Sequence, residues 1–279
     1  MSSATTITNS LKTLQGTIAL AGAGKMGGAM LAGWLAGGLE PRRAVVIEPT
    51  PSDDINALVK SGVRVNPSAT DTGAVDALVV AVKPQSFREA GVKLRPFVGS
   101  STLVVSIMAG ATIASISEVC GGAVVRAMPN TPAAIGRGIT VAVAADNVSA
   151  SQRATADALL RAIGSVEWVE DEQLMDAVTA VSGSGPAYIF LLAEELARAG
   201  VEAGLPAELA TRLARETVAG SGELLRRSEA SSATLRQNVT SPGGTTAAAL
   251  EVLMGPGGMQ SLLTRAVAAA TKRSKELAK

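Results

Sequence analysis

The sequence contains no histidine and only one cysteine, Cys120. The first absence removes imidazole as a general acid or base, and the two together exclude a Cys/His zinc site, so no metal centre is expected. One thiol cannot close an intramolecular disulfide. An excess of charge of one sign is also lacking: 25 Lys+Arg stand against 24 Asp+Glu, a formal net charge of +1, and the basic residues form no dense run. That balance lacks the electrostatic footprint of a nucleic-acid binder. Long hydrophobic runs are missing too, because Gly, Pro and charged residues interrupt every apolar stretch before it reaches membrane-spanning length. The opening MSSATTITNSLKTLQG is polar, without the basic start and apolar run of a signal peptide. No membrane partner is expected, and a cytoplasmic location follows as the expectation. What the chain does have is length and apolar content. Its 279 residues are 47% hydrophobic, enough to bury one large core or two ordinary ones.

From Gly16 the chain reads GTIALAGAGKMGGAMLAGWLAGG. Thr17–Ala21 has the length of a buried strand and runs directly into Gly22-Ala23-Gly24-Lys25-Met26-Gly27. After it, Met30, Leu31, Trp34 and Leu35 recur at helical spacing. A lone glycine triplet of this kind is a turn as easily as a site. With a strand before it and a helix after it, the pattern reads as a dinucleotide-binding turn. In that reading Gly22 permits the tight turn, Gly24 lets the backbone approach a pyrophosphate, and Gly27 lets the helix pack close to the strand. The next apolar segment, Ala44–Ile47, ends at Glu48, about 20 residues after Gly27, near the spacing at which a carboxylate accepts hydrogen bonds from an adenosine ribose. That spacing favours NAD. Thr50, Ser52 and Asn56 can instead hold a 2′-phosphate, so NADH and NADPH both stay open; an acidic residue in a surface turn is the plainer reading of Glu48 alone.

Further strand-like segments are Gly62–Val65, Ala77–Val82, Leu103–Ile107, Ala123–Arg126, Ile139–Ala144 and Val166–Val169, several separated by helix-length pieces. Such alternation predicts an α/β, Rossmann-like domain: a mostly parallel sheet with helices on both faces and ligands at the carboxyl ends of its strands. Two strand ends there carry rigid, polar turns. Val82-Lys83-Pro84-Gln85 closes one, and Met128-Pro129-Asn130-Thr131-Pro132 follows another. Val82, Lys83, Pro84, Met128 and Asn130 therefore join Gly22, Gly24, Lys25, Met26, Gly27 and Glu48 as candidate cofactor-binding residues. Asn130 and Thr131 are placed to orient a nicotinamide amide, while Lys83 reads as an exposed strand-end lysine rather than an acid.

After Trp168 the strand signals nearly stop. Ala187–Ala203, Ala207–Leu225, Thr246–Leu253 and Met259–Leu277 are helix-compatible, punctuated by Gly and Pro. The expected organisation is a flexible polar segment over 1–15, a dinucleotide-binding domain over 16–170 and an all-helical substrate-binding and dimerisation domain over 171–279, with the boundary near Val169–Leu174. AYIFLLAEELARAGVEAG is apolar around most of its circumference, as expected of a helix inside a bundle or between subunits, and a closed homodimer is the leading assembly. Two loops of this half are rich in small donors. TAVSGSGPAYIF places Ser184 ahead of a proline suited to a helix's first turn, and VTSPGGTTAAAL, 239–250, places Ser241, Gly243, Gly244, Thr245 and Thr246 at another helix start. Helix capping is the plain reading of both; together they also suit a pocket for a small anion.

GAGKMG at 22–27, VKPQ at 82–85, MPNTP at 128–132, TAVSGSGPAYIF at 179–190 and LRQNVTSPGGTTAAAL at 235–250 occur in the order seen in pyrroline-5-carboxylate reductase, which the chain resembles from Gly16 to about Leu277. The last two motifs are the specific ones. Ser231-Ser232-Ala233-Thr234 departs from the family in lacking a proline often found there. The resemblance implies reduction of L-1-pyrroline-5-carboxylate to L-proline with NADPH or NADH, the last step of proline synthesis. It implies a cofactor-binding amino-terminal domain, an intertwined helical dimer that in this family assembles further, and an active site between the two. It places the family's active-site threonine at Thr246. Ser184, Ser241, Gly243, Gly244, Thr245 and Thr246 are then the candidate substrate-binding residues, their amides and hydroxyls facing the substrate carboxylate or ring nitrogen. Alternatives are a reductase of a six-membered cyclic imino acid and a non-enzymatic nucleotide-sensing dimer. A β-hydroxyacid dehydrogenase would need a lysine in the helical half, and 171–270 contains none.

Overall fold

A computed structural model describes residues 11–277 of the chain. The first half alternates strand and helix: β1 Ile18–Ala21, α1 Lys25–Ala36, β2 Ala44–Ile47, α2 Asp53–Ala57, β3 Arg64–Val65, α3 Ala69–Thr72, β4 Ala77–Val80, α4 Phe87–Leu94, β5 Leu103–Ser106, α5 Ile113–Cys120, β6 Ala123–Met128, β7 Gly138–Ala144, α6 Ala150–Arg161 and β8 Gly164–Trp168. These strands form one eight-stranded sheet in the order β3-β2-β1-β4-β5-β6-β7-β8. Its neighbours are parallel except β6 and β7, which run antiparallel. Each expected strand is present, although Gly62–Val65 contracts to its last two residues.

Short, continuous apolar strands such as IALA, ALVV and LVVS suit a sheet covered on both faces. Because successive side chains point to opposite faces, Ile18 and Leu20 of β1 enter one core with Met30, Leu31 and Trp34 of α1 and Leu159 and Leu160 of α6. Ala19 and Ala21 enter the other, with Phe87 and Leu94 of α4 and Ile116 of α5. The Trp34 indole donates to the Leu159 carbonyl at 2.9 Å, so α1 and α6 are joined by a buried polar bond as well as by apolar packing. Chain order reverses at β1, which has β2 on one side and β4 on the other. That reversal opens a crevice at the carboxyl ends of these strands.

The expected polar segment over 1–15 lies, for residues 1–10, outside the described residues. From Leu11 onward the chain is packed: Leu11 is buried in the α1 core, and Arg43 donates to the Gln15 side chain.

The second half is helical: α7 Met175–Val178, a π-helical turn at Thr179–Gly183, α8 Gly185–Glu202, α9 Ala207–Arg227, α10 Ser232–Asn238, α11 Thr245–Met254 and α12 Met259–Leu277. Two compact units result. The sheet unit runs to Gly183 and resumes at Thr271; the helical unit is Ser184–Ala270. The division falls later than the boundary expected at Val169–Leu174 because 172–183, although helical, belongs to the sheet unit: Met175 and Ala180 are buried, and a Cβ on Gly183 would come 2.6 Å from Met128 Cε. The end of α12 joins the same unit, where Ser274 donates to Asp176 at 2.6 Å. Within the helical unit α9 packs back on α8 after the turn at Gly204–Pro206, with Gly200 bringing the backbone close to Ala210. α10 lacks a long apolar stripe and starts from the Ser231 cap, whose hydroxyl accepts from the Thr234 amide.

Candidate active site

The glycine turn is shaped by backbone geometry. Gly22 has φ +90, its N–H donates to the Ile47 carbonyl at 2.9 Å, and a Cβ there would sit 2.7 Å from the Ala81 carbonyl oxygen. Only glycine fits both the conformation and the space. Gly27 is buried, and a Cβ on it would overlap the Gly22 carbonyl. Gly24 differs: it is exposed, and a Cβ there would meet nothing within 4 Å. It caps α1 without a side chain to accept from the first amides of the helix, so those donors face the open space beside it. A nicotinamide dinucleotide fits this cradle, because an anionic diphosphate needs close backbone approach and unpaired amides together.

The turn opens into a crevice of about 390 Å³, whose walls include Gly22, Gly24, Glu48, Val82 and Lys83. These predicted residues therefore share one surface. Lys25 and Met26 lie in the first turn of α1, Pro84 opens a single 3₁₀ turn beyond Lys83, and Met128 ends β6 half-buried. Asn130 is buried, and its Oδ1 accepts from the Ile139 amide at 3.0 Å, tying the end of β6 to β7.

Glu48 is held more firmly than its spacing alone predicts. Its Oε2 accepts from the Ala23 amide at 2.8 Å and its Oε1 from the Thr50 amide at 3.1 Å. Its backbone is gripped from both sides by Asn66, which accepts from the Glu48 N–H and donates to the Glu48 carbonyl, each at 2.9 Å. Asn66 adopts φ +50, a conformation that asparagine tolerates better than most residues. Sequence reasoning missed Asn66; the Asn-Pro pair at 66–67 marks a turn but not its partner.

A second missed group stands at β6. The Arg126 guanidinium, almost wholly buried, donates to Glu172 at 2.9 Å, and the same carboxylate oxygen accepts from the Ile113 amide at the start of α5. This pairing satisfies a buried charge and an orphan helix-terminal donor at once. Cys120 is no nucleophile at neutral pH, since burial pushes its thiol up to about 11.

In the helical unit, Ser241–Gly244 form a turn closed by the Gly244 amide donating to the Ser241 carbonyl at 3.0 Å, with Gly243 at φ +68. Gly244 then caps α11 in an extended conformation, with no side-chain acceptor for the first amides of the helix. Ser241, Gly243 and Thr245 are exposed and Thr246 half-buried. Ser184 stands at the start of α8, directly after the π turn, and makes no side-chain capping bond. Interruptions of this kind in a helix often mark functional sites.

A doubly wound sheet whose glycine turn and acidic β2 end meet in the crevice at the chain reversal defines a dinucleotide-binding protein of the Rossmann class, here joined to a helical unit. Residues 17–110 match the family model described as NADP oxidoreductase, coenzyme F420-dependent, and residues 172–277 the model described as pyrroline-5-carboxylate reductase dimerisation. The chain belongs to the pyrroline-5-carboxylate reductase family. It is 39% identical over 264 residues to the pyrroline-5-carboxylate reductase of Pseudomonas aeruginosa, covering 94% of this chain and 96% of that protein. The solved pyrroline-5-carboxylate reductase of Coxiella burnetii matches with a TM-score of 0.88 at 36% identity, over 95% of this chain and 100% of that one. The pyrroline carboxylate reductase of Plasmodium falciparum, solved with NADP bound, matches at 0.79 and 29% identity, over 95% and 99% of the two chains.

Proposed function

We propose that this chain reduces L-1-pyrroline-5-carboxylate to L-proline at the expense of NADPH or NADH, as the final step of proline biosynthesis. The observation that carries the reading is the Ser-Pro-Gly-Gly turn at the uncapped start of α11, in a chain that also holds a dinucleotide crevice and is related to these reductases over nearly its whole length. A helix N-terminus without a side-chain acceptor suits a carboxylate through both hydrogen bonds and the helix-terminal field. In this proposal the amides of Gly243, Gly244 and Thr245 hold the substrate carboxylate. The Thr246 hydroxyl contacts the ring nitrogen or the carboxylate, and Ser241 and Ser184 supply further polar contacts. Gly22, Gly24, Lys25, Met26 and Gly27 form the diphosphate cradle, while Glu48, Val82, Lys83, Pro84, Met128 and Asn130 line the rest of the cofactor's path.

The reduced nicotinamide, when bound, supplies the hydride. The chain's own part is to fix the imine ring by its carboxylate, exclude competing orientations and keep a proton at the ring nitrogen. With no histidine available, that proton enters with an iminium substrate or from water held by Thr246. Orientation is the main resource, and well-aligned reactants gain roughly 7–11 kcal/mol. The proposed assembly is a homodimer: Phe190 is 67% exposed and Leu224 64%, and apolar residues of α8, α9, α11 and α12 stand open in the single chain. A cytoplasmic location completes the proposal, in keeping with one buried, unpaired thiol.

The test is the initial rate of NADPH and NADH oxidation with pyrroline-5-carboxylate, run beside the six-membered ring imine, with proline identified as product. Turnover of the five-membered ring is expected. Folded protein that binds either cofactor yet turns over neither imine refutes the proposal, and preference for the larger ring refutes its substrate.

A further inference from the structure

We infer that Glu48 makes this chain select NADH over NADPH, with Asn66 as the residue that positions it; the inference rests on the reductase reading for its reaction but on binding for its test. Glu48 lies on the β2 wall of the crevice, at the carboxyl edge of the sheet where the adenosine end of a dinucleotide is received in this class of fold. A carboxylate offers about four acceptor positions. Two are taken by the amides of Ala23 and Thr50, one on each oxygen, so each oxygen keeps one lone pair. A ribose 2′,3′-diol brings two donors and completes that set. A 2′-phosphate brings acceptors and negative charge to the same place.

Thr50, Ser52 and Asn56 offer neutral donors to a phosphate, but no cation in the neighbouring turn offsets its charge beside the carboxylate. From Glu48 to Val59 the sequence carries Glu48, Asp53 and Asp54 and neither lysine nor arginine. The two lysines of the crevice belong to the other wall, Lys83 after β4 and Lys93 in α4, and Lys93 is paired with Glu89 at 2.9 Å. Nor can Glu48 readily turn away. Its two side-chain bonds and the reciprocal Asn66 clamp on its backbone hold it in place, so the carboxylate is fixed before any cofactor arrives. Preorganisation of this kind converts a charge into specificity, because the wrong ligand cannot be accommodated by rotation of the side chain.

The experiment measures NADH and NADPH dissociation constants by cofactor fluorescence, without substrate, for the wild type, Glu48→Gln and Asn66→Gly. Glycine is chosen at 66 because it keeps the positive φ while removing the clamp. The wild type is expected to bind NADH about 10- to 100-fold more tightly, the range of a charge-assisted hydrogen bond. In Glu48→Gln, NADH weakens, NADPH tightens and their ratio falls by about the same factor; Asn66→Gly moves the ratio in the same direction. Equal affinities in the wild type, or variants that weaken both cofactors in parallel, overturn the inference, the latter result leaving Glu48 as a structural brace of the glycine turn. Failure of the reductase reading appears differently, as discrimination retained without turnover.

Discussion

Gly22 and Gly24 belong to one turn, but packing demands glycine only at the first, while the proposed cofactor contact demands it at the second, and alanine at each position separates the two effects. At Gly22 the new Cβ meets Ala81 O at 2.7 Å, with Ala81 C and Val82 N inside 3 Å, and the backbone sits at φ +90. Strain of about 1–3 kcal/mol for the conformation adds to about 1–3 kcal/mol for overpacking against a backbone that cannot rotate aside. Gly22→Ala is therefore expected to lose about 2–6 kcal/mol of stability, a large part of the margin of an ordinary domain. At Gly24 the Cβ meets nothing within 4 Å and φ is −67. Gly24→Ala is expected to unfold within about 0.5 kcal/mol of the wild type. In the proposed site its methyl group nevertheless stands in the space through which the diphosphate reaches the first amides of α1, and cofactor affinity is expected to fall about 10- to 100-fold, the loss of one charge-assisted bond. Urea unfolding followed by tryptophan fluorescence reads the first quantity, and NADH titration reads the second. Gly24→Ala binding NADH as tightly as the wild type would refute the assignment of this turn to the cofactor. Gly22→Ala unfolding at the wild-type midpoint would refute the steric argument.

Thr246→Ala is expected to lower kcat/KM about 10- to 100-fold, the worth of a hydrogen bond to a charged group, with NADH affinity and unfolding unchanged; unaltered turnover removes Thr246 from the proposed site. Glu172→Ala leaves the buried Arg126 guanidinium and the Ile113 amide without their acceptor. The carboxylate is 31% exposed, so the cost falls near the low end of the range for broken buried pairs, about 3 kcal/mol. Wild-type stability in urea would show that water replaces the carboxylate in full. For Cys120, burial raises the folded pKa to about 11. The folded chain then keeps a proton that the unfolded chain releases at an ordinary thiol pKa, so this contribution is complete at neutral pH and disappears as pH rises through about 11. A disulfide reagent at pH 8 is expected to leave the folded protein unmodified and to label one thiol after denaturation; rapid labelling of the native protein contradicts the burial.

Local pattern made much of the fold legible. Short apolar runs punctuated by glycine and proline mark the strands, because residues buried on both faces of a parallel sheet have no polar alternation to show. GAGKMG could be placed between β1 and α1 for the same reason, and Glu48 followed from its distance along the chain. The long helices were visible from their length and breakers, whereas α10, seven residues resting on a Ser231 cap, has too little periodicity to announce itself.

The order of strands and helices, the glycine turn, the acidic end of β2 and the small-donor turn before α11 are each written in neighbouring residues and can be read along the chain. Which groups meet across long separations emerges only from the folded arrangement: Asn66 closing on Glu48, Glu172 reaching both Arg126 and Ile113, and Ser274 returning from the end of α12 to Asp176. Such contacts have no period and no fixed spacing. They exist because packing of the elements brings donor and acceptor together, and a buried polar group must then find the partner that this packing supplies.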